Sequence, residues 1–181
     1  MTLGADLRAL RKARGLTLAE LANDLGRSVG WLSQVERDMS DPSIADLRQI
    51  SSALAVPVSM LCRHHAVTDV EQGFVVRKSA RRAIGTTIEG LHEELLSPDL
   101  TDEFEMVHST FAPGSSIGKP VTRATQEVGF IVSGRLNIEI KGVSHTIHPG
   151  DSFRIRGEAF RWSNPYDEPA VAIWVIAPPV Y

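Results

Sequence analysis

Residues 17–37 read TLAELANDLGRSVGWLSQVER, and their spacing predicts two short helices joined by a tight turn. Thr17 stands where a hydroxyl can accept a bond from a free backbone amide, and Glu20 three residues on completes a capping box. Leu18, Leu21, Ala22 and Leu25 form a helical stripe that stops at Gly26, a residue suited to a left-handed C-terminal turn. Ser28 caps a second helix whose buried face is read as Val29, Leu32 and Val35. Gly30, Trp31, Ser33, Gln34 and Arg37 are left facing outward.

A helix–turn–helix of this kind lays its second helix in the major groove of DNA, where the N-terminal side chains meet base edges. LRALRKARGLTLAELA before it, LSQVER within it and DPSIADLRQISSALAVPVSML after it extend the pattern over residues 3–62. Together these stretches resemble the XRE family of lambda-repressor-like DNA-binding domains. The resemblance implies a five-helix bundle, with helices near 3–13, 17–25, 28–36, 43–54 and 57–62. Asp41-Pro42-Ser43 suits the start of the fourth, and Pro57 sits where a helix can begin but not continue.

The same resemblance assigns roles. Gln34 falls on the family's base-reading position, and a glutamine amide can bond bidentately to adenine. Val29 and Gly30 would also meet the groove, so specificity leans on Gln34, Ser28, the Val29 methyls and DNA shape. Arg27, Ser33 and Arg37 are candidate phosphate contacts, joined by the amide ends of the helices after Thr17 and Ser28. Trp31 either stacks on the DNA backbone or covers the bundle. Arg11 and Glu36 match a pair that bridges the first and third helices, expected here as a structural salt bridge.

Charge sets a condition on this reading. Residues 1–63 hold eight Lys or Arg against seven Asp or Glu, and the remainder eleven against fifteen, which gives the net −3. A head without basic excess draws little on non-specific phosphate attraction, so two copies acting together are expected. Arg8, Arg11, Lys12 and Arg14 form the one dense cationic cluster, part of it available for internal pairing.

At 181 residues the chain can hold a small helical module and a larger second core. No apolar run approaches the roughly 20 residues that cross a bilayer, and the chain opens on a polar helix, so a cytoplasmic protein with no membrane role is expected. The single cysteine, Cys62, rules out an internal disulfide and reads as a small buried residue.

Residues 64–73, HHAVTDVEQG, lack periodicity and read as a linker between domains 1–63 and 74–181. Strand-length runs follow at 74–77, 86–96, 104–111, 128–132, 136–140, 145–147, 152–155, 160–162 and 171–176, punctuated by Gly134, Gly142, Gly150 and Gly157. Many short strands at this spacing imply an antiparallel sandwich or barrel. Glu127 with Gly134, and Pro149-Gly150-Asp151 leading to Asn164-Pro165, resemble the two cupin motifs, which implies a jelly-roll (double-stranded β-helix) barrel over 74–181. The expected fold is therefore α plus all-β in two domains. XRE-type heads with cupin tails are a class of bacterial regulators that this chain resembles through its C-terminal IAPP segment.

The departures from the cupin pattern carry equal weight. Metal-binding members place histidines where this chain has Val121, Arg123 and Phe160, none of which supplies an imidazole. His145 and His148, three apart, point to opposite faces of an extended chain, while His64 and His65 lie in the linker. No metal or other cofactor is expected, with His108 and Glu127 the least unsuitable ligands. Arg123, Gln126, Glu127, Phe160, Trp162, Trp174 and His108 are expected to line a pocket. Glu127 suits an ammonium, Arg123 a carboxylate and the rings an apolar body. The competing reading is a barrel filled by the aromatics, with Arg123 and Glu127 neutralising one another.

The chain is accordingly expected to be a non-enzymatic regulator, a repressor, that binds a palindromic operator in double-stranded DNA as a cupin-mediated homodimer and responds to an amine or amino acid. Regulators of polyamine and amino-acid catabolism within the resembled class favour that effector. A DNA-tethered cupin enzyme and a protein-interaction module are the alternatives.

Overall fold

The computed structural model describes residues 2–61, 71, 73–85, 88–98, 100 and 102–179. Cys62, His64 and His65 lie outside the described residues, as does all of the expected linker except Glu71 and Gly73. The chain divides into two compact units, Met1–Arg82 with Pro98–Thr101 and Tyr181, which holds the helices, and Ala83–Ser97 with Asp102–Val180.

Among the described residues there are five α-helices, α1 Leu3–Ala13, α2 Leu18–Asp24, α3 Val29–Val35, α4 Ile44–Ala53 and α5 Val58–Leu61. Four begin on a hydroxyl that accepts an amide three residues on: Thr2, Thr17, Ser28 and Ser43. Glu20 and Asp46 return the bond to the cap residue's own amide, making two full capping boxes. Gly26 ends the α2 turn in the left-handed region at φ 61°, which a side chain would oppose. Leu7, Leu10, Leu21, Leu32, Ile50 and Leu54 close the core, each no more than 1% exposed.

One expectation for this core fails. Val29 is 46% exposed, whereas Leu32 and Val35 are buried. As the first residue of α3 it precedes the turn that packs against α2, so its methyls stay in solvent.

α1 approaches α3 closely. A Cβ on Gly4 would meet Val35 O at 2.4 Å and Glu36 C at 2.7 Å, and the Gly4 amide donates to Asp38 Oδ1 at 2.9 Å. Gly4→Ala must therefore push one helix backbone from the other. A loss of about 1 to 3 kcal/mol is expected in urea denaturation followed by circular dichroism.

The strands run β1 Arg82–Ile84, β2 Leu91–Leu95, β3 Glu105–Phe111, β4 Gln126–Ser133, β5 Leu136–Ile140, β6 Val143–Ile147, β7 Ser152–Arg156, β8 Phe160–Ser163 and β9 Ala170–Ala177. They form a six-stranded sheet, β1-β2-β3-β9-β4-β7, and a three-stranded sheet, β6-β5-β8. Bridges from Ser116 to Ser163 and from Val121 to Phe160 extend the smaller sheet. Alternate side chains from both sheets fill the space between them: Val107, Phe111, Ile131, Ile138, Ile155 and Ala172.

Two strand expectations are corrected. Residues 74–77 form no strand: the Phe74 and Val75 amides both bond Glu71 O, Arg77 pairs with the Glu71 carboxylate, and a 3-10 turn follows at Lys78–Ala80. Of the run expected from 86 to 96, residues 86 and 87 lie outside the described residues, and among the rest the strand is β2, because Gly90, at φ 78°, turns the chain immediately before Leu91. The motif residues act on the backbone. At Gly134 (φ 69°) a Cβ would meet Pro169 O at 2.4 Å, so the turn after β4 accepts only glycine. Buried Asn164 donates to Phe111 O (3.0 Å) and Glu168 O (2.9 Å), closing the turn into β9.

Candidate functional site

Helix α3 is held by its ends and one buried pair. Ser28 Oγ accepts the Trp31 amide at 3.1 Å. At the other end Arg11 donates from Nε and Nη2 to the two Glu36 oxygens at 2.6 and 2.9 Å. Arg11 Nη1 adds Leu16 O at 2.8 Å, and the Glu36 hydrogen bond raises the guanidinium's pKa. This is the bridge that the family pattern implied between α1 and α3.

The pinned helix exposes Val29, Gly30, Gln34 and Arg37, with Ser33 and Trp31 half-buried beside them. Arg37 Nε donates to Ser33 O at 3.1 Å, which lays its guanidinium along the helix. Arg27 is placed differently from a free phosphate contact: Nη2 donates to Asp46 Oδ1 at 2.5 Å, and Cζ stands 5.1 Å from the Trp31 ring centroid. Trp31 is thus partly covered by Arg27. The Asp46 carboxyl is held below its usual pKa first by the Ser43 hydroxyl and amide, then by Arg27. Thr17, exposed at the start of α2, shares its hydroxyl and amide with Glu20. Of the basic cluster, Arg11 and Arg14 are used internally, Arg14 Nε on Leu54 O at 2.9 Å, while Arg8 and Lys12 face solvent.

In the strand unit the motif aromatics turn inward and pack. Phe160, Trp162 and Trp174 are 3%, 5% and 6% exposed. Trp162 meets Phe111 edge-on at 4.6 Å and Trp174 meets Phe153 at 5.0 Å. The Phe153 ring also occupies the place a side chain at Gly129 would take, 2.2 Å from its Cβ position.

At one end of that interior the polar groups converge. Glu127 is 1% exposed; Thr125 Oγ1 donates to its Oε1 at 2.7 Å and Arg123 Nη1 to its Oε2 at 3.4 Å. Arg123 also lies 5.7 Å over Phe160. Glu93 of β2, absent from the expected set, joins them. Ser109 Oγ donates to it at 2.8 Å. Burial pushes its carboxyl pKa up, the Ser109 bond and Arg123 pull it down, and the Glu127 charge pushes it up again. Glu93 pairs with Ser109 across β2 and β3, a register that sequence alone does not set.

The raised pKa has a consequence. The folded chain holds the Glu93 proton more tightly than the unfolded one, so that group's contribution falls as pH rises through the window above its ordinary value near 4.5. Glu93→Gln, which keeps an acceptor for Ser109, is expected to raise the strand unit's melting temperature at pH 7 and leave it unchanged near pH 4, read by calorimetry.

Gln126 and His108 do not join this cluster. Gln126 alternates with Glu127 and is exposed, in an open groove of about 340 Å³ with Arg156 and Pro178. His108 sits between inward Val107 and Ser109, so it faces out of the barrel. Strand alternation decides both cases. His145 and His148 are exposed, and among the described residues no group of three His, Cys, Asp or Glu could hold a metal ion.

Residues 2–63 match the model of a helix-turn-helix domain family, and residues 107–176 match that of the cupin domain. A transcriptional regulator, ClgR, of Mycobacterium tuberculosis is 32% identical over 97 residues, 53% of this chain and 87% of that one. The protein is an XRE-type helix–turn–helix transcriptional regulator with a C-terminal cupin domain. The regulator is also similar to the HTH-type transcriptional regulator PuuR of Escherichia coli, 23% identical over 155 residues, covering 84% of this chain and 81% of that one. An immunity repressor of Bacillus phage phi105 is 30% identical over 99 residues, 55% of this chain and 68% of its own. The regulator binds DNA through its helical head, and no helix among its described residues is long and apolar enough to cross a membrane.

Proposed function

We propose that the regulator is a repressor that binds a palindromic operator as a homodimer, reads bases through Gln34 and carries a non-catalytic cupin that senses an amine. The observation that carries the reading is the exposed Gln34 on a helix fixed at both ends. Repression is supported by the likeness to a phage immunity repressor. The absence of catalysis is supported by relatives named as regulators and by Val121, Arg123 and Phe160 at the motif's metal-ligand positions.

Two cupin-joined chains present two heads to half-sites one or a few DNA turns apart, about 34 Å each. Arg123 already serves Glu127, so Glu93 and Glu127 leave the cluster with a carboxylate in excess, which favours an amine over an amino acid. An amine that binds one dimer geometry better shifts DNA affinity with a coupling of roughly 1 to 3 kcal/mol.

The test is a mobility shift on the region upstream of the regulator's own gene, with and without a panel of amines and amino acids. A specific shift altered by an amine is the expected result. A specific shift indifferent to every compound removes the sensing role, and no specific shift at any salt concentration removes the operator reading.

A further inference from the structure

Arg123 occupies a place suited to any small cation. Its Nη1 donates to buried Glu127 at 3.4 Å, and its Cζ lies 5.7 Å from the centre of the Phe160 ring. A carboxylate and an aromatic face are the two surfaces that hold an ammonium. The guanidinium fits them poorly. Arg11 meets Glu36 with two bonds, at 2.6 and 2.9 Å, and both of those side chains are nearly enclosed. Arg123 offers Glu127 one long bond and is 41% exposed in its side chain. A buried charge is well compensated only by close, well-aligned partners. A free ammonium is compact, carries three donors and has no tether to keep it at a distance from the carboxylate.

The backbone around Arg123 lets the side chain leave. Val121 and Phe160 exchange two backbone hydrogen bonds, at 2.8 and 2.9 Å, which anchor the segment on one side. Buried Thr125 anchors it on the other through its bond to Glu127. Between these points Thr122, Arg123 and Ala124 are exposed and belong to no strand. Rotation about the arginine's own bonds, a fast motion in exposed side chains, uncovers Glu127 while both anchors stay in place.

We propose that Arg123 is the built-in occupant of this cation site, and that an entering ammonium takes its place on Glu127 and the Phe160 face, releasing the guanidinium to solvent. The proposal rests on the amine-sensing reading above and adds what the amine must displace. Because the arginine holds the site first, the apparent affinity falls by the fraction of molecules in which the site is free. Arg123 thereby sets the amine concentration at which the regulator responds.

Methylammonium chloride, set against equal sodium chloride, probes the full chain by heteronuclear NMR. In the wild type the Arg123 Nε–H signal is expected to move towards that of a solvated arginine as methylammonium is added. A signal that stays in place, or that moves as far in sodium chloride, overturns the proposal. Arg123→Gln frees the site and is expected to tighten methylammonium binding by about 5-fold or more, followed at the Thr125 amide. Arg156→Gln removes the same charge from the neighbouring groove without freeing the site, so it should bind like the wild type. Equal tightening in both variants reduces the effect to overall charge and overturns the displacement. Should Arg123→Gln fail to fold, the wild-type signal decides. An operator shift indifferent to every amine while methylammonium still displaces Arg123 removes the sensing reading and leaves this site standing. An amine-sensitive shift with an unmoved Arg123 does the reverse.

Discussion

Glu36→Ala is expected to cost the helical unit about 3 to 5 kcal/mol, because it strands a buried charge. The Arg11 and Glu36 side chains are 10% and 5% exposed, and their two parallel bonds tie α1 to the end of α3. Without the carboxylate, Arg11 keeps Leu16 O but no counter-charge. A lysine in this position could shed its proton, whereas a guanidinium stays charged in either state. In a unit of this size each kcal/mol moves the midpoint by roughly 4 to 8 °C, so a fall of at least about 12 °C is expected in circular dichroism melts. Replacing both partners, as Arg11→Met with Glu36→Leu, should recover most of that loss, since no buried charge is left and only the bond to Leu16 O is given up. A double variant as unstable as Glu36→Ala would show that the effect comes from packing of the Glu36 stem rather than from charge.

Gln34→Ala should produce the largest change in DNA binding. One bidentate contact to a base is worth about 1 to 3 kcal/mol, and a palindromic operator uses the residue twice, so a loss of about 2 to 6 kcal/mol in specific binding is expected. Gln34 is uncharged, so affinity for unrelated DNA and the salt dependence should stay at wild-type values. Arg37→Ala provides the contrast: it should weaken specific and non-specific binding alike and lower the salt slope by about one unit per head. Titrations of operator and scrambled DNA across a salt series separate the two. Equal loss on both DNAs for Gln34→Ala would remove it from base reading.

The helical head was legible because its signals are local. Thr17 with Glu20, Gly26, and Ser28 with Trp31 act within one or two turns, and the helices fall close to where spacing put them. Arg11 and Glu36 became readable through the family pattern, although nothing near them in the chain announces a bond across 25 positions. Arg27 has a partner that the sequence does not announce. Its partner Asp46 also belongs to the capping box of α4, and sequence shows that carboxylate only in the second role.

The barrel divides along the same line. Glycines and prolines marked most strand ends, yet 74–77 has strand composition while the Phe74 and Val75 amides turn back onto Glu71 O. By themselves the residues determined two domains' worth of elements: the caps, the turn glycines, the periodic faces and the recognition helix, all consequences of backbone geometry over a few positions. Tertiary structure alone decided the direction of each strand residue and its neighbours. It turned Gln126 and His108 out, packed Phe160, Trp162 and Trp174 into the core, and brought Glu93 from a distant strand to Glu127 and Arg123. Strand register has a period of two, so one residue's shift exchanges inside for outside, and pairing partners far along the chain set that register.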